Sequence, residues 1–384
     1  MPYELTNSET EFRQRMRKLV EERIAPGAQE REETEKFPWD MLELLREEGL
    51  LYMSFPRKFG GQEASLLEQC IAIEEICHSC NNTAVFLVYF ANANFCLSRF
   101  SSQEQQDKYY SLLKRKRTFP TVVLTDASGG SDFGSIVTRA NLEGDQYTVH
   151  GVKRFISSAD EASLFTIYAK TDPAASKHRG ISAFWADRKL GEETPGLHIK
   201  RERLMGMYSS DACEMNFSGF RIPKENLIGK ENQGFKIAMG MVDYGRHLVA
   251  SRGLGTAQGA FDCALSFAKE RQAFGQPIGA FQGIQFMLAE MATMIEATRQ
   301  LLYMSAWHYD HGGANATLYA SMSKLMAAEV AMKVTTDAVQ ILGGRGVTRD
   351  YPVQRLMKDA KIIQIVEGTS QIHRWIIGRR LTGT

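Results

Sequence analysis

A chain of 384 residues is long enough for two or three domains with well-buried cores. Its 46 Lys and Arg balance 45 Asp and Glu, and a net charge of +1 leaves no electrostatic footprint for nucleic acid or an anionic membrane. No apolar run reaches transmembrane length, and Met1-Pro2-Tyr3-Glu4 is not followed by the basic and apolar regions of a signal peptide, so a cytoplasmic protein is expected.

Residues 1 to about 120 are expected to be helical. Glu9 to Glu22 is charged and amphipathic, and Pro38-Trp39-Asp40-Met41-Leu42 begins another helix with Pro near its first turn. Phe55 to Gly61 is a loop. Leu66 to Arg99 carries long apolar runs that suit a buried helix. Cys77-His78-Ser79-Cys80 has CxxC spacing without a second pair, so no metal site is expected; the six scattered cysteines fit a reducing compartment.

The texture changes near Pro120. Thr121 to Leu124, Gln146 to His150, Lys153 to Ser157, Leu164 to Ala169 and Ile181 to Ala186 are predicted strands separated by Gly, Asp and Pro turns. Residues 121–229 are expected to form a small β-barrel or sandwich. After Gly234 the helical period returns. Phe235, Met239 and Val242 share one face, Ile284, Met287, Leu288, Met291 and Ile295 another, and Leu325, Ala328, Met332 and Val339 a third. Long helices joined by short loops predict an antiparallel bundle over 230–384. Neither a repeat nor a low-complexity segment interrupts this order.

One segment stands out chemically. In Ile365-Val366-Glu367-Gly368-Thr369-Ser370-Gln371 a carboxylate is followed at once by a glycine and two hydroxyls. The glycine ends the helix and admits a ligand to the backbone. The carboxylate offers a base, and an apolar enclosure would raise its pKa and basicity. Ile363, Ile365 and Val366 are the residues expected to supply that enclosure. Leu124-Thr125-Asp126-Ala127-Ser128-Gly129-Gly130-Ser131-Asp132 is a strand end followed by a glycine-rich turn, which exposes backbone N–H groups to an anion or a carbonyl.

These segments, with Gly151 to Ser158, Glu270 to Gly275, Phe281-Gln282 and Gln340 to Gly344, resemble the motifs of the acyl-CoA dehydrogenases. The resemblance runs from Phe59-Gly60-Gly61 to the C-terminus, and the order helices, strands, helices matches that architecture: a mostly α, α+β fold with an N-terminal α-helical domain (1–120), a middle β-barrel (121–229) and a C-terminal four-helix bundle (230–384). It implies FAD as cofactor and α,β-dehydrogenation of an acyl-CoA to a trans-2-enoyl-CoA. Glu367 would take the α-proton while the flavin takes the β-hydride. The backbone N–H of the base and a flavin ribityl hydroxyl would hold the thioester oxygen. Electrons would pass to electron-transfer flavoprotein, and a homotetramer is expected.

Residue by residue, the resemblance implies cofactor contacts at Val122, Leu124, Thr125 and Ser131, at Phe155, Ile156 and Ser157, and at Arg271, Phe274 and Gln282. Gln340, Ile341, Leu342, Gly343 and Gly344 would touch the FAD of a neighbouring subunit, and Thr369, Ser370 and Gln371 would complete the site. Ser131, Asp243, Tyr244, Gly245, Arg246 and Gly368 would border substrate, with Arg246 alternatively a structural ion pair. Gly245 stands where some relatives carry the base, so Glu367 has no competitor. The chain departs from the pattern at Asp126 (for Glu) and Ala127 (for Pro), which predicts a more flexible loop, at Ser157 and Ser158 (for Thr and Asn), and at Tyr208 (for Arg).

The pocket floor should come from the helix around Val85 to Arg99. Tyr89, Phe90, Asn92 and Asn94 are too bulky or polar for a fatty tail, and no arginine lies near Thr83 for a dicarboxylyl group. A short, branched or cyclic acyl group is expected. An enoyl-CoA reductase or a dehydrogenase of carrier-protein-bound acyl thioesters would use the same residues, and a flavin-less scaffold homologue is the non-enzyme alternative.

Overall fold

The computed structural model describes residues 3–313 and 315–383. Its first third holds α1 (Asn7–Leu19), α2 (Ala28–Thr34), α3 (Trp39–Glu47), α4 (Leu66–Cys77), α5 (Asn81–Phe100) and α6 (Gln103–Leu113). Local chemistry starts three of these. Thr6 with Glu9, Ser65 with Glu68 and Ser102 with Gln105 form reciprocal capping boxes that satisfy free N–H groups at the starts of α1, α4 and α6. The helix expected over Glu9 to Glu22 begins at Asn7 and passes into a π-helical turn at Val20–Ile24.

The apolar stretch from Leu66 to Arg99 is two helices rather than one. Cys80 is extended, with φ −152° and ψ 101°, and separates α4 from α5. The CxxC motif spans this junction, where both thiols are free and buried. Among the described residues no group of three His, Cys, Asp or Glu is placed to hold a metal.

The middle region is one eight-stranded sheet of β1 (Pro120–Val123), β2 (Arg139–Glu143), β3 (Gln146–Ser157), β4 (Leu164–Lys170), β5 (Ile181–Asp187), β6 (Leu197–Glu202), β7 (Ala212–Pro223) and β8 (Leu227–Ile228). The ladder runs β6-β7-β3-β2-β4-β5-β8, and β1 joins parallel to β4. The two strands expected at 146–150 and 153–157 are one strand, β3, bent by register shifts against β7 at Val149/His150 and Lys153/Ile156. The hydrogen-bonded path has two ends, so side chains rather than a ladder close the barrel. Tyr147 of β3 and Phe184 of β5, three ladder steps apart, meet with ring centroids 4.7 Å apart.

The last third holds α7 (Gly234–Glu270), a short hairpin of β9 (Gln272–Ala273) and β10 (Gln276–Pro277), α8 (Gln282–Asp310), α9 (Ala316–Leu342), α10 (Val353–Ile363) and α11 (Ser370–Thr382). The bundle is three long helices extended by two short ones. α7 packs on α4, α5, α8 and α9. A Cβ at Gly255 would lie 2.1 Å from the Glu74 carbonyl oxygen, so the α4 and α7 backbones touch there. This contact holds the N-terminal helices against the middle of α7. On α8, Met291 and Ile295 are buried while Ile284, Met287 and Leu288 are only partly covered. Among the described residues no helix is long and apolar enough to cross a membrane.

Candidate active site

The chain turns sharply between α10 and α11. Glu367 has φ 53° and Gly368 φ 94°, so two successive residues are left-handed. Glycine tolerates this freely, whereas a glutamate is held there only by its surroundings. Those surroundings are specific. Thr369 caps α11 by accepting from the Ile372 N–H at 3.3 Å. Ser370 donates to Glu329 of α9 at 2.7 Å, and Gln364 and Arg374 donate to the same carboxylate at 3.0 Å each. Lys324, also on α9 and fully buried, donates to the Gly368 carbonyl at 2.7 Å.

The Glu367 carboxylate is aimed at α7. A Cβ built on Gly245 would lie 3.1 Å from Glu367 Oε1 and 3.3 Å from Asn92 Oδ1, so the bare Cα leaves the room that both side chains use. Burial pushes the Glu367 carboxyl above the ordinary carboxylate range, while Arg246, Lys324, Arg252 and a hydrogen bond from Asn92 pull it partly back. Of the apolar residues expected to enclose it, Ile363 is buried with Val249 and Ala328, and Val366 packs on them. Ile365 is 56% exposed instead. It lies in the turn, where the periodicity of α10 no longer dictates which side faces inward.

Tyr89 and Asn92, one turn apart on α5, face this carboxylate. The Tyr89 hydroxyl is hydrogen-bonded to Ser157 and lies within the field of Glu367. Phe90 and Asn94 do not share the floor with them. Phe90 packs against Tyr52 and Phe55, and Asn94 donates to the Ser54 carbonyl at 2.8 Å and accepts from Tyr110 at 2.6 Å. Residues 90 and 94 occupy a different face of the same helix from 89 and 92. Arg246 is an ion pair with Asp243, which also accepts from Thr317 at 2.7 Å, and it still acts on Glu367 through space. Tyr244 turns its hydroxyl to Gln69 of α4 at 2.5 Å.

The sheet brings a second group to this place. Thr121 donates to the Ser157 carbonyl at 2.8 Å, and the Arg154 N–H donates to the Thr125 carbonyl at 2.9 Å. Val122, Leu124 and Thr125 therefore run beside Phe155, Ile156 and Ser157. The loop at Asp126 is anchored, not loosened. Asp126 and Lys153, both buried, pair at 2.6 Å; Asp126 also accepts from the Thr138 N–H and hydroxyl at 2.9 Å each, and Lys153 donates to the Leu124 carbonyl at 2.8 Å. The partners reach a carboxylate of this length, which sequence comparison at Asp126 alone could not show. Asp126→Asn would leave a buried ammonium without its counter-charge. A urea melt should then show a loss of about 3–5 kcal/mol; a loss under about 1 kcal/mol would make the pair dispensable.

Phe155 is 59% exposed and left-handed at φ 57°. The Arg154 guanidinium sits 5.1 Å from the ring centroid, and a planar aromatic group stacked on the exposed remainder would cover it. The glycine-rich turn that carries Ser131 is exposed and lies against Thr125, whose Cγ2 would be 3.2 Å from a Cβ at Gly130. These residues fit a flavin. Tyr208, where the resemblance expects Arg, lies under the Lys358 ammonium, 4.5 Å from its ring centroid, and docks the sheet on α10.

The other expected cofactor residues lie elsewhere in the protomer. Arg271 follows the end of α7, Phe274 is left-handed at φ 50° and 96% exposed, and Gln282 opens α8. Gln340, Gly343 and Gly344 are exposed at the end of α9, with Ile341 and Leu342 buried behind them. Arg345 sits 6.0 Å over Phe267, so these two segments share one end of the bundle. Gly245 and Arg271 are separated by 26 positions along α7 and its cap, about 39 Å at 1.5 Å per residue. One protomer does not bring both ends to a common cofactor.

The whole arrangement matches known proteins. The family description "Acyl-CoA dehydrogenase, N-terminal domain" matches residues 6–115, the middle domain of the same family 121–220, and its C-terminal domain 232–382. The chain belongs to the acyl-CoA dehydrogenase family. It is 38% identical to the short-chain specific acyl-CoA dehydrogenase of Clostridium acetobutylicum, over 99% of this chain and 100% of that one. It is 39% identical to cyclohexane-1-carbonyl-CoA dehydrogenase of Geobacter metallireducens, over 95% of each. The structure of butyryl-CoA dehydrogenase from Megasphaera elsdenii superposes with a TM-score of 0.93 at 34% identity, covering 100% of both chains. This acyl-CoA dehydrogenase is thus an oxidoreductase of a flavoprotein family.

Sequence reasoning missed two functional candidates in this acyl-CoA dehydrogenase. Lys324 was visible as a lone cation among the small and apolar residues of Ser321-Met322-Ser323-Lys324-Leu325-Met326. The contact of Asn92 with the base had no local signal, because it joins α5 to the turn before α11.

Proposed function

We propose that this acyl-CoA dehydrogenase uses FAD to convert a short, branched or cyclic acyl-CoA to the trans-2-enoyl-CoA, with Glu367 as the base. The observation that carries this reading is the Glu367 carboxylate, held desolvated against Gly245 beside the Tyr89–Ser157 pair. When bound, FAD supplies a two-electron acceptor for the β-hydride. The chain's own residues bind, orient and move the proton. Thr125, Ser131 and Ser157 offer hydroxyls to the flavin, Phe155 offers a face, and the Val122–Leu124 and Ile156 strands form the wall. Glu367 takes the α-proton, and its backbone N–H, with Gly368 opening the turn, faces the thioester oxygen.

Arg271, Phe274, Gln282 and Gln340 to Gly344 reach the FAD of a second copy in a homotetramer, since α7 carries them too far from their own base. The exposed Phe274 and Phe286 and the half-covered stripe on α8 supply apolar surface for that assembly. Electron-transfer flavoprotein is the electron acceptor. Tyr89 and Asn92 crowd the floor beside the base and favour a small acyl group, as do the short-chain and cyclic substrates in the names of the two relatives.

Anaerobic addition of butyryl-CoA or cyclohexane-1-carbonyl-CoA to the holoenzyme should bleach the visible flavin band. A panel of saturated acyl-CoA thioesters that all leave the band intact would sink this reading. The pH profile is a second check. A base works ionised, and burial raises the pKa of this one, so kcat/KM should fall as pH drops through an apparent pKa above the ordinary 4.5. A rate that stays flat down to that pH would argue against a desolvated glutamate.

A further inference from the structure

We propose that Lys324 is a positioning residue for the base: its ammonium clamps the Gly368 carbonyl and thereby sets the direction and ionisation of the Glu367 carboxylate. This inference rests on the reading of Glu367 as the base.

Lys324 lies near the middle of α9, has no exposed surface, and donates to the Gly368 carbonyl at 2.7 Å. Among the described residues it makes no ion pair, and a buried cation without one is costly to fold. Its retention in a tightly packed bundle therefore calls for a gain elsewhere. The gain is at the turn. Gly368, at φ 94°, is the natural hinge between Glu367 and the Thr369 cap. The Thr369 cap holds the turn from the C-terminal side and the Lys324 bond holds the carbonyl between them, so the left-handed Glu367 has little freedom left.

The charge acts as well. Glu367 and Glu329 attract the Lys324 ammonium, Arg246 and Arg252 repel it, and His373, packed beside Gly368, is kept neutral by burial and by the cations around it. Burial brings the lysine down to about 7. Below that pH it is charged, and that charge opposes the desolvation of Glu367 and keeps the carboxylate ionised. A residue that only filled space would influence neither the turn nor the titration of the base.

The test uses FAD-loaded, full-length Lys324→Met, Lys324→Gln and Lys324→Arg enzymes beside Glu367→Gln. In Lys324→Met the acid limb of kcat/KM should move up by about 1 pH unit, with kcat reduced about 10- to 100-fold. Amide exchange over residues 365–372 should be at least about tenfold faster, as expected when a local opening loses about 1.4 kcal/mol of protection. Lys324→Arg should restore the limb and the protection. Lys324→Gln, which keeps a donor without charge, should protect the turn yet leave the limb shifted, and it serves if the Met variant fails to fold. An uncharged variant with wild-type limb and wild-type exchange overturns the proposal. Turnover surviving in Glu367→Gln would instead remove the base assignment, and the exchange data would then decide the clamp alone.

Discussion

Glu367→Gln enzyme should keep its flavin and lose turnover by at least about 10³-fold, within the range for removing a positioned general base. Gln preserves the length and shape of the side chain, so the left-handed turn, the Lys324 bond to Gly368 and the Thr369 cap all survive. What disappears is the basic carboxylate oxygen that accepts the α-proton. The segments offered to the cofactor, at Thr125 and in β3 at Phe155, are held by the Asp126–Lys153 pair and do not depend on the Glu367 side chain. The visible spectrum of the purified variant and steady-state turnover with an artificial electron acceptor check the two halves of the prediction. Activity above about a tenth of wild type, far more than loss of a general base allows, would place the base elsewhere. Asp243, the nearest other acid on α7, is already committed to Arg246 and Thr317.

Gly245→Val should cut kcat by about 100-fold, the scale of a reacting group displaced by roughly 1 Å. The new Cβ would stand 3.1 Å from Glu367 Oε1 and 3.3 Å from Asn92 Oδ1, and its methyls would enter the space the carboxylate occupies. Gly245→Ala makes the same intrusion without branches and should have a smaller effect. Stability should move the other way in the alanine variant, because Gly245 lies inside α7 and replacing a helix-interior glycine by alanine is worth up to about 1 kcal/mol. A thermal melt and a kcat measurement on one preparation would reveal that opposition. If both variants turned over as wild type does, the carboxylate would not depend on the bare Cα at this position.

The sequence by itself determined the order of helices, sheet and helices, the turn at Glu367-Gly368-Thr369, the strand-end loop at Thr125 and the strand that carries Phe155. Each is a local property: a 3.6-residue or two-residue period, a helix-ending glycine, or a short contiguous motif. The tertiary structure decided the rest. It showed that Tyr89 and Asn92, but not Phe90 and Asn94, face the base. It joined Gln146 to Ser157 into one bent strand, anchored Asp126 on Lys153 and Thr138, and placed Lys324 beneath a turn 44 residues away in the chain. It also put Arg271 with Gln340 at the far end of α7 from Glu367, whereas the motifs alone assign only Gln340 to Gly344 to a neighbouring subunit's cofactor. The physical reason is common to these cases. Periodicity says that a side chain is buried, but which partner buries it depends on how elements distant in sequence pack, and the length of one straight helix decides which motifs can meet within a single protomer.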